Sequence, residues 1–358
     1  MNNTLNEYKE IVDNFKNVSI GVIGDFVADI YVFGKPHRLS REAPVIIVKY
    51  EGERMVPGSA GNTTNNLSKL GSKVYPVGIV GDDKVGRDIV KYFLKDGVNV
   101  EGLFICAGES TITKTRLMAG DTHTSKRQIV RLDKESPQRM TRTLEQKIID
   151  YMDNVNSIVD AWVVSDYGYD VITTKILEKI KQYAKEKVVV VDSRYRLHDF
   201  VGVTIIAPNE SEAEAASGIK IKEEKDLMEA GKKLLNGMKT RAVLITRGNR
   251  GMMLFEGNRT EEIPICGPDE VSDVTGAGDT VVSMLASSLA SNATFSQAAR
   301  LSNYAAGIVV MKNGTATLTC AELMQIIEHD LSTSGGPNNQ TARYPWEVIR
   351  HADTFYRV

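Results

Sequence analysis

Asp273-Val274-Thr275-Gly276-Ala277-Gly278-Asp279-Thr280 runs directly into Val281 to Ala290, an uninterrupted helix-compatible stretch. Three small residues ahead of a helix leave backbone N–H groups bare and aimed at one spot. The orphan donors and the helix dipole both favour negative charge there. Asp279 is the odd member, because a carboxylate beside a phosphate site repels the phosphate. Taking a proton from an attacking hydroxyl is the simplest use for it. A Gly-rich turn capped by Asp279 reads the same way from these few residues alone, so the rest of the chain has to decide.

Outward from this stretch, strands and helices alternate. Apolar runs at Val18 to Ile23, Val74 to Val80, Ala161 to Ser165, Lys187 to Asp192, Thr204 to Ala207 and Ala242 to Thr246 read as buried strands. Helical patterns fall at Ala60 to Leu70, Val85 to Lys95, Leu144 to Val155, Ile172 to Ala184, Glu210 to Ala216 and Lys225 to Leu235. A hairpin spans Met252 to Ile265, and Phe295 to Met311 forms a last helix after Ala277 to Ala290. This order predicts an α/β fold: a mostly parallel sheet covered by helices on both faces. Pro44 to Tyr50 and Leu103 to Leu132 are rich in β-branched and polar residues and lack a helical period. They are expected to form a small β-sheet lid within about residues 31–57 and 103–133, one domain of 1–330 containing both parts. Ser332 to Gln340 has linker composition, and Thr341 to Val358 is either a disordered tail or a docking segment carrying Tyr344, Trp346 and Phe355.

At 358 residues the chain can bury a large core, and its net charge of −2 gives no electrostatic case for nucleic acid or an anionic membrane. There is no apolar run of transmembrane length and no signal-peptide pattern. Cys106, Cys266 and Cys320 are scattered and odd in number, which fits reducing cytoplasm rather than a disulfide framework or a zinc site.

Four segments then carry a resemblance. Asp273 to Thr280 resembles the signature loop of the PfkB family of carbohydrate kinases, which have the ribokinase-like fold. Pro57-Gly58-Ser59-Ala60-Gly61-Asn62 resembles the family's N-terminal sugar loop, Val77 to Gly86 its VGxVGxDxxG segment, and Pro208-Asn209-Glu210-Ser211-Glu212 its NxxE motif. The resemblance implies ATP and Mg²⁺ as cofactors, with room for a monovalent cation. It makes Asp279 the general base, with the Gly276, Ala277 and Gly278 amides stabilising the transferred phosphoryl group. Asn209 and Glu212, three apart at a helix start, would organise Mg²⁺, although the same spacing fits a helix cap with a capping-box Glu. Asp25, Asp29, Gly58, Gly61 and Asn62 would meet the sugar, since carboxylates accept from hydroxyls and missing side chains admit substrate to the backbone. A pair of strand-end turn residues is the alternative for Asp25 and Asp29. Thr246, Gly248 and Gly251 match the segment that passes ATP and Asn303 a position beside the adenine; an ordinary turn and a polar helix face are the alternatives.

Within the family the chain is most similar to heptose 7-phosphate kinases, which make precursors for ADP-heptose by phosphorylating the C1 hydroxyl. Arg38 to Val45, Thr111 to Arg116, Gln128 to Asp133 and Ser165-Asp166-Tyr167 carry this. A substrate with its own phosphate needs cations, and Lys114, Arg116 and Arg131 provide them near the expected sugar end; a solvated strand face is the alternative. The chain departs from the heptose pattern at Ser59, at Gly168-Tyr169-Asp170 and at Ser193-Arg194. It contains no HxGH motif, so adenylylation is expected to need another protein. A homodimer through the lid is expected, because an apolar, β-branched lid needs a place to bury. Other enzymes of the family act on hexose phosphates, pentoses or nucleosides, and a catalytically dead sensor is a further class. The intact Asp279 and NxxE pair argue against the sensor. A dinucleotide-binding dehydrogenase lacks its GxGxxG, and a P-loop kinase its GxxxxGK[ST].

Overall fold

A computed structural model describes residues 2–120, 126–135, 140–267 and 271–333. The linker and tail from 334 onward lie outside the described residues, as does the 121–125 part of the expected lid.

Chain order is α1 (Asn2–Asp13), β1 (Ser19–Gly24), β2 (Phe26–Leu39), β3 (Ile46–Ser59), α2 (Ala60–Lys69), β4 (Lys73–Gly81), α3 (Lys84–Lys95) and β5 (Leu103–Cys106). It continues through β6 (Thr113–Ala119), β7 (Arg127–Lys134), α4 (Arg142–Asn156), β8 (Ala161–Asp166), α5 (Thr174–Tyr183), β9 (Val188–Ser193), β10 (Ile205–Ile206), α6 (Glu210–Ser217) and α7 (Glu224–Met238). It ends with β11 (Ala242–Thr246), β12 (Met252–Glu256), β13 (Arg259–Ile263), α8 (Ala277–Ala290), α9 (Phe295–Val309) and α10 (Cys320–Thr333).

Nine strands form one sheet in the order β13-β12-β11-β10-β9-β8-β1-β4-β5. All neighbours are parallel except the β11-β12-β13 edge. Alternation builds two cores. Ile20, Val22, Val163, Val190 and Leu244 face one side with α2, α8 and α9, while Ile23, Val164, Val191 and Ile245 face α4, α5 and α7. Strand order reverses between β1 and β8, the place where open α/β sheets keep their ligand crevice. Asp25 and Ser165-Asp166-Tyr167 end those two strands.

The second sheet has four strands in the order β3-β2-β6-β7. It is mixed: β2 pairs antiparallel with β3 and parallel with β6, which pairs antiparallel with β7. The expected lid span needs one correction. Leu103–Cys106 does not join the small sheet; it pairs in parallel with β4 and extends the large one, which buries Leu103. α3 carries the chain from β4 back to that strand's free edge, whose backbone groups β5 then pairs. β2 also enters the lid earlier than residue 31, beginning at Phe26.

Register sorts the small sheet into two faces. Asp29, Lys114 and Asp133 share one row, and Tyr31, Arg116 and Arg131 the next, on the side where Tyr31, Phe33, Val56 and Met118 are buried. Ile30, Thr115 and Leu132, then Val32, Leu117 and Val130, form rows on the other side.

Candidate active site

Gly276 caps α8 with φ 82°, and a Cβ there would lie 2.5 Å from the Asn62 amide nitrogen. Only glycine meets both conditions. Ala277 and Gly278 begin the helix, and open space lies beside Gly278. Asp279 follows in the first turn and is 4% exposed. Its two oxygens are held separately: Asn62 Nδ2 donates to Oδ2 at 2.8 Å, and the Tyr167 hydroxyl donates to Oδ1 at 3.0 Å. Burial pushes the Asp279 carboxyl up to about 6, against the pull of those two donors; Asp29 pushes the same way as burial and Lys114 opposes it.

The residues expected on the sugar side gather near this point. Asp29 on β2 accepts from Arg116 Nη1 at 2.5 Å and from Thr315 Oγ1 at 3.0 Å. A Cβ on Gly58 would lie 2.5 Å from Asp29 Oδ2, so that glycine makes room for the carboxylate. Gly61 sits in the first turn of α2 with Asn62, whose Oδ1 accepts from Asn66 at 3.2 Å. Asp25 is 1% exposed and anchors a loop: its Oδ2 accepts backbone N–H groups of Tyr167 at 2.7 Å and Tyr169 at 3.2 Å. Burial, with Asp166 nearby, raises its carboxyl to about 6.

The three lid cations differ. Arg116 is buried against Asp29 and the Tyr31 ring. Arg131 is half exposed and forms two 2.9 Å bonds to Asp133. Lys114 reaches over the rings of Tyr167 at 5.4 Å and Tyr169 at 5.8 Å. Burial lowers its pKa; Asp29 opposes this and Arg194 adds to it. A cavity of about 660 Å³ opens between the lid and the loop leading into α8. Arg116, Lys126 and Arg127 line it from above, Asp273 and Thr275 from below.

On the other flank, Asn209 caps α6 and a backbone bridge joins it to Thr246. Asn209 Oδ1 accepts from the Glu212 N–H, and Glu212 accepts from the Asn209 N–H, both at 2.9 Å. The capping box is therefore real, and Glu212 also lies in the field of Asp192 at the end of β9. Asp192 is pushed far above the usual carboxylate range by burial first, then by Glu212, Asp279 and Asp166. Burial likewise raises Glu212. Arg194 opposes both shifts, yet acidic groups still outnumber it here, which suits a cation arriving with phosphate. Among the described residues no three His, Cys, Asp or Glu side chains converge as a cage, so such a cation would keep other ligands. Gly248 lines a shallow hollow with Asn209 and Thr246, and Gly251 closes the same turn. Asn303 stands apart, donating to the Pro264 carbonyl at 2.8 Å beside a cavity of about 340 Å³ between the loop after β13 and α9–α10.

Sequence reasoning missed three participants. Thr315 ties Asp29 and Tyr31 of the lid to the body. Asp192 is the end of an expected strand and carries no role in the sequence reading. Tyr167 belonged to a quoted signature but had no role. Each departure has its own surroundings: Ser193 Oγ donates to buried Asp166 at 2.7 Å, Tyr169 donates to Glu135 at 3.0 Å, and Ser59 is buried with φ 54°.

The family model described as pfkB family carbohydrate kinase matches residues 18–321. A bifunctional protein HldE of Geobacter sulfurreducens is 39% identical over 312 residues, covering 85% of this chain and 61% of that protein. Another, of Citrifermentans bemidjiense, is 37% identical over 350 residues, covering 97% and 70%. The chain thus spans roughly two thirds of the length of such relatives. Among solved structures, Arabidopsis thaliana ribokinase complexed with ribose and ATP superposes with a TM-score of 0.68 at 19% identity, covering 87% of this chain and 99% of that one. Escherichia coli phosphofructokinase-2 in complex with fructose-6-phosphate gives 0.70 at 16%, with the same coverage. These two likenesses establish the fold.

Proposed function

The chain belongs to the pfkB family of carbohydrate kinases, and on that premise we propose that it transfers the γ-phosphate of ATP to the C1 hydroxyl of a heptose 7-phosphate. The observation that carries this is Asp279: a buried carboxylate in the first turn of α8, clamped on both oxygens, beside open backbone at Gly278.

Asp279 takes the sugar hydroxyl's proton as that oxygen attacks phosphorus, and the Gly276 to Gly278 amides meet the charge that develops on the phosphoryl oxygens. With a carboxyl near 6, Asp279 is ionised at neutral pH yet basic enough to accept the proton. Asp29, Asp25, Gly58, Gly61 and Asn62 form the sugar side, with Asp29 already preorganised by Arg116 and Thr315. Asn209 and Glu212 would hold Mg²⁺, which when bound neutralises phosphate charge. Thr246, Gly248 and Gly251 pass the nucleotide, and Asn303 marks the adenine end. A monovalent cation is compatible with this reading.

The sugar's own phosphate lies under the lid. Arg116 and Arg131 are already paired with carboxylates, as is Lys126 with Glu51, whereas Lys114 is held only by aromatic faces among the contacts described; Arg127 adds positive charge to the cavity that Arg116 and Lys126 line. The HldE similarity favours a heptose over other sugars. The reaction is placed in the cytoplasm, with a homodimer through the lid. No described helix is long and apolar enough to cross a membrane.

The test is ATP turnover on a panel of heptose and hexose phosphates, with NMR of the product. Phosphorylation at C1 of the heptose phosphate is expected, and preference for a hexose phosphate or an unphosphorylated sugar would overturn the substrate. In the same assay, Lys114→Ala, Arg116→Ala and Arg131→Ala should include at least one variant that loses about 10- to 100-fold in sugar-phosphate KM while KM for ATP holds. If none loses preference for the phosphorylated sugar, the lid cations do not read its phosphate.

A further inference from the structure

A phosphate cradle, a base and a sugar pocket account for Asp279 and its neighbours but leave Tyr167 without a part. Its position is heavily determined. The Tyr167 N–H is held by Asp25 at 2.7 Å, and the preceding Asp166 is fixed by Ser193 at 2.7 Å and by Arg196 at 3.3 Å. The loop is pinned on both sides of the tyrosine, so the phenol is aimed rather than loosely packed. Its hydroxyl ends 3.0 Å from Asp279 Oδ1, while Asn62 holds Oδ2.

The direction of that bond follows from the surroundings. Burial, then Asp279 and Asp192, raise the phenol's pKa well above its ordinary value, so it stays protonated and donates. A carboxylate has about four acceptor positions, and two donors leave two for an arriving hydroxyl. The clamp therefore orients the base without blocking it.

We propose that Tyr167 is a positioning residue for phosphoryl transfer: its hydroxyl, with the Asn62 amide, fixes the Asp279 carboxylate in one orientation and favours its ionised form. The role rests on the kinase reading, whereas the bond itself does not. The groups facing Asp279 are Asn62 from α2, Tyr167 after β8, Asp29 from β2, Lys114 from β6 and Asp192 from β9. Burial and Asp29 favour the protonated acid; Asn62, Tyr167 and Lys114 oppose them. Removing the phenol oxygen takes away one of three opposing groups, so the Asp279 carboxyl moves further toward the pH of assay.

Tyr167→Phe deletes that oxygen with little change in volume. The acidic limb of kcat/KM against pH is expected to rise by about one unit, while KM for ATP stays within about threefold. Replacing Tyr167 with 3-fluorotyrosine, a stronger donor of nearly the same shape, is expected to lower the limb instead. A sugar-independent arm uses thermal unfolding of wild type, Tyr167→Phe, Asp279→Asn and the double variant at pH 5 and pH 8. The Tyr167→Phe deficit in Tm should be larger at pH 8 by roughly 2 °C, and that pH dependence should vanish in the Asp279→Asn background. A fixed limb with a pH-independent deficit overturns the proposal and makes Tyr167 packing only. Absence of wild-type turnover on every heptose phosphate sinks the substrate reading, and the thermal cycle then decides on Tyr167 by itself.

Discussion

Asp279 is buried, ionisable and clamped, and those properties pull stability and activity apart. Its carboxyl sits near 6 in the fold against 3.8 in an unfolded chain. Between those values the native state holds a proton that the unfolded state has lost, so stability falls as pH rises through the window, and the cost is complete above about 6. Asp279→Asn is therefore expected to lose on the order of 10²-fold or more in kcat while ATP still binds by calorimetry. The same variant should unfold at a higher temperature than wild type at pH 8, by up to roughly 3 kcal/mol in stability, with the gain fading toward pH 4. Near-normal turnover would remove Asp279 from the chemistry. Ser59 makes a second case. Its φ of 54° and ψ of −127° are costly for a residue with a Cβ, so Ser59→Gly should stabilise by about 1 kcal/mol in denaturant melts. No gain would mean that the Ser59 side chain repays its strain. Asp279, Asn62 and the small residues of both loops were legible as motifs. That Asn62 and Tyr167 each hold one oxygen of Asp279 was not, because the pairs lie 217 and 112 residues apart and one sequence carries no mark of such pairing.

Helices and strands were read wherever burial imposes a period. β1, β8, β9 and β11 alternate between two cores, α3, α4, α5 and α7 each bury one apolar face, and α8 is buried nearly all round. β5 failed that test: Leu103–Cys106 is too short to show a period, and its choice of β4 over the lid depends on which edge lies nearest. α6 shows how one spacing serves two ends. Asn209 and Glu212 complete a capping box, which accounts for their separation of three without any metal. Glu212 also stands among carboxylates that would welcome a cation. The two uses separate by substitution. Glu212→Gln keeps an acceptor for the Asn209 N–H but drops the charge, so thermal stability should hold while the Mg²⁺ concentration for half-maximal rate rises severalfold, on the order of 1 kcal/mol or more. Glu212→Ala should add a loss of about 1 kcal/mol in stability. A Gln variant with an unchanged Mg²⁺ requirement would reduce Glu212 to its cap.

For the whole molecule, the small sheet poses the remaining question, because on one of its faces Ile30 packs against the main core while the β7 end, Val130 and Leu132, stays open among the described residues. Ile30, Thr115 and Leu132 form one cross-strand row, and Val32, Leu117 and Val130 the next. Leu132 is 69% exposed and Val130 53%, on an edge strand that offers unpaired backbone groups as well. Such a surface is an aggregation hazard unless something covers it, and a second copy presenting the same rows is the simplest self-complementary cover. The opposite face holds Asp29, Lys114 and Arg116, so a partner on the outer face would steady the sheet that roofs the proposed sugar site without entering it. Wild-type protein is expected to sediment as a dimer at micromolar concentration. Val130→Lys with Leu132→Lys places two charges in the rows at positions already open to solvent. Their loss of fold should be small, and the dimer should dissociate by at least about tenfold in Kd, since burying unpaired charge at an interface is costly. Arg131 between them points to the other face and keeps its bonds to Asp133, so ATP binding should hold in the monomer. Analytical ultracentrifugation with a parallel thermal melt decides it: a wild-type monomer, or a double variant that remains a dimer with an unchanged melt, would move the interface away from this face.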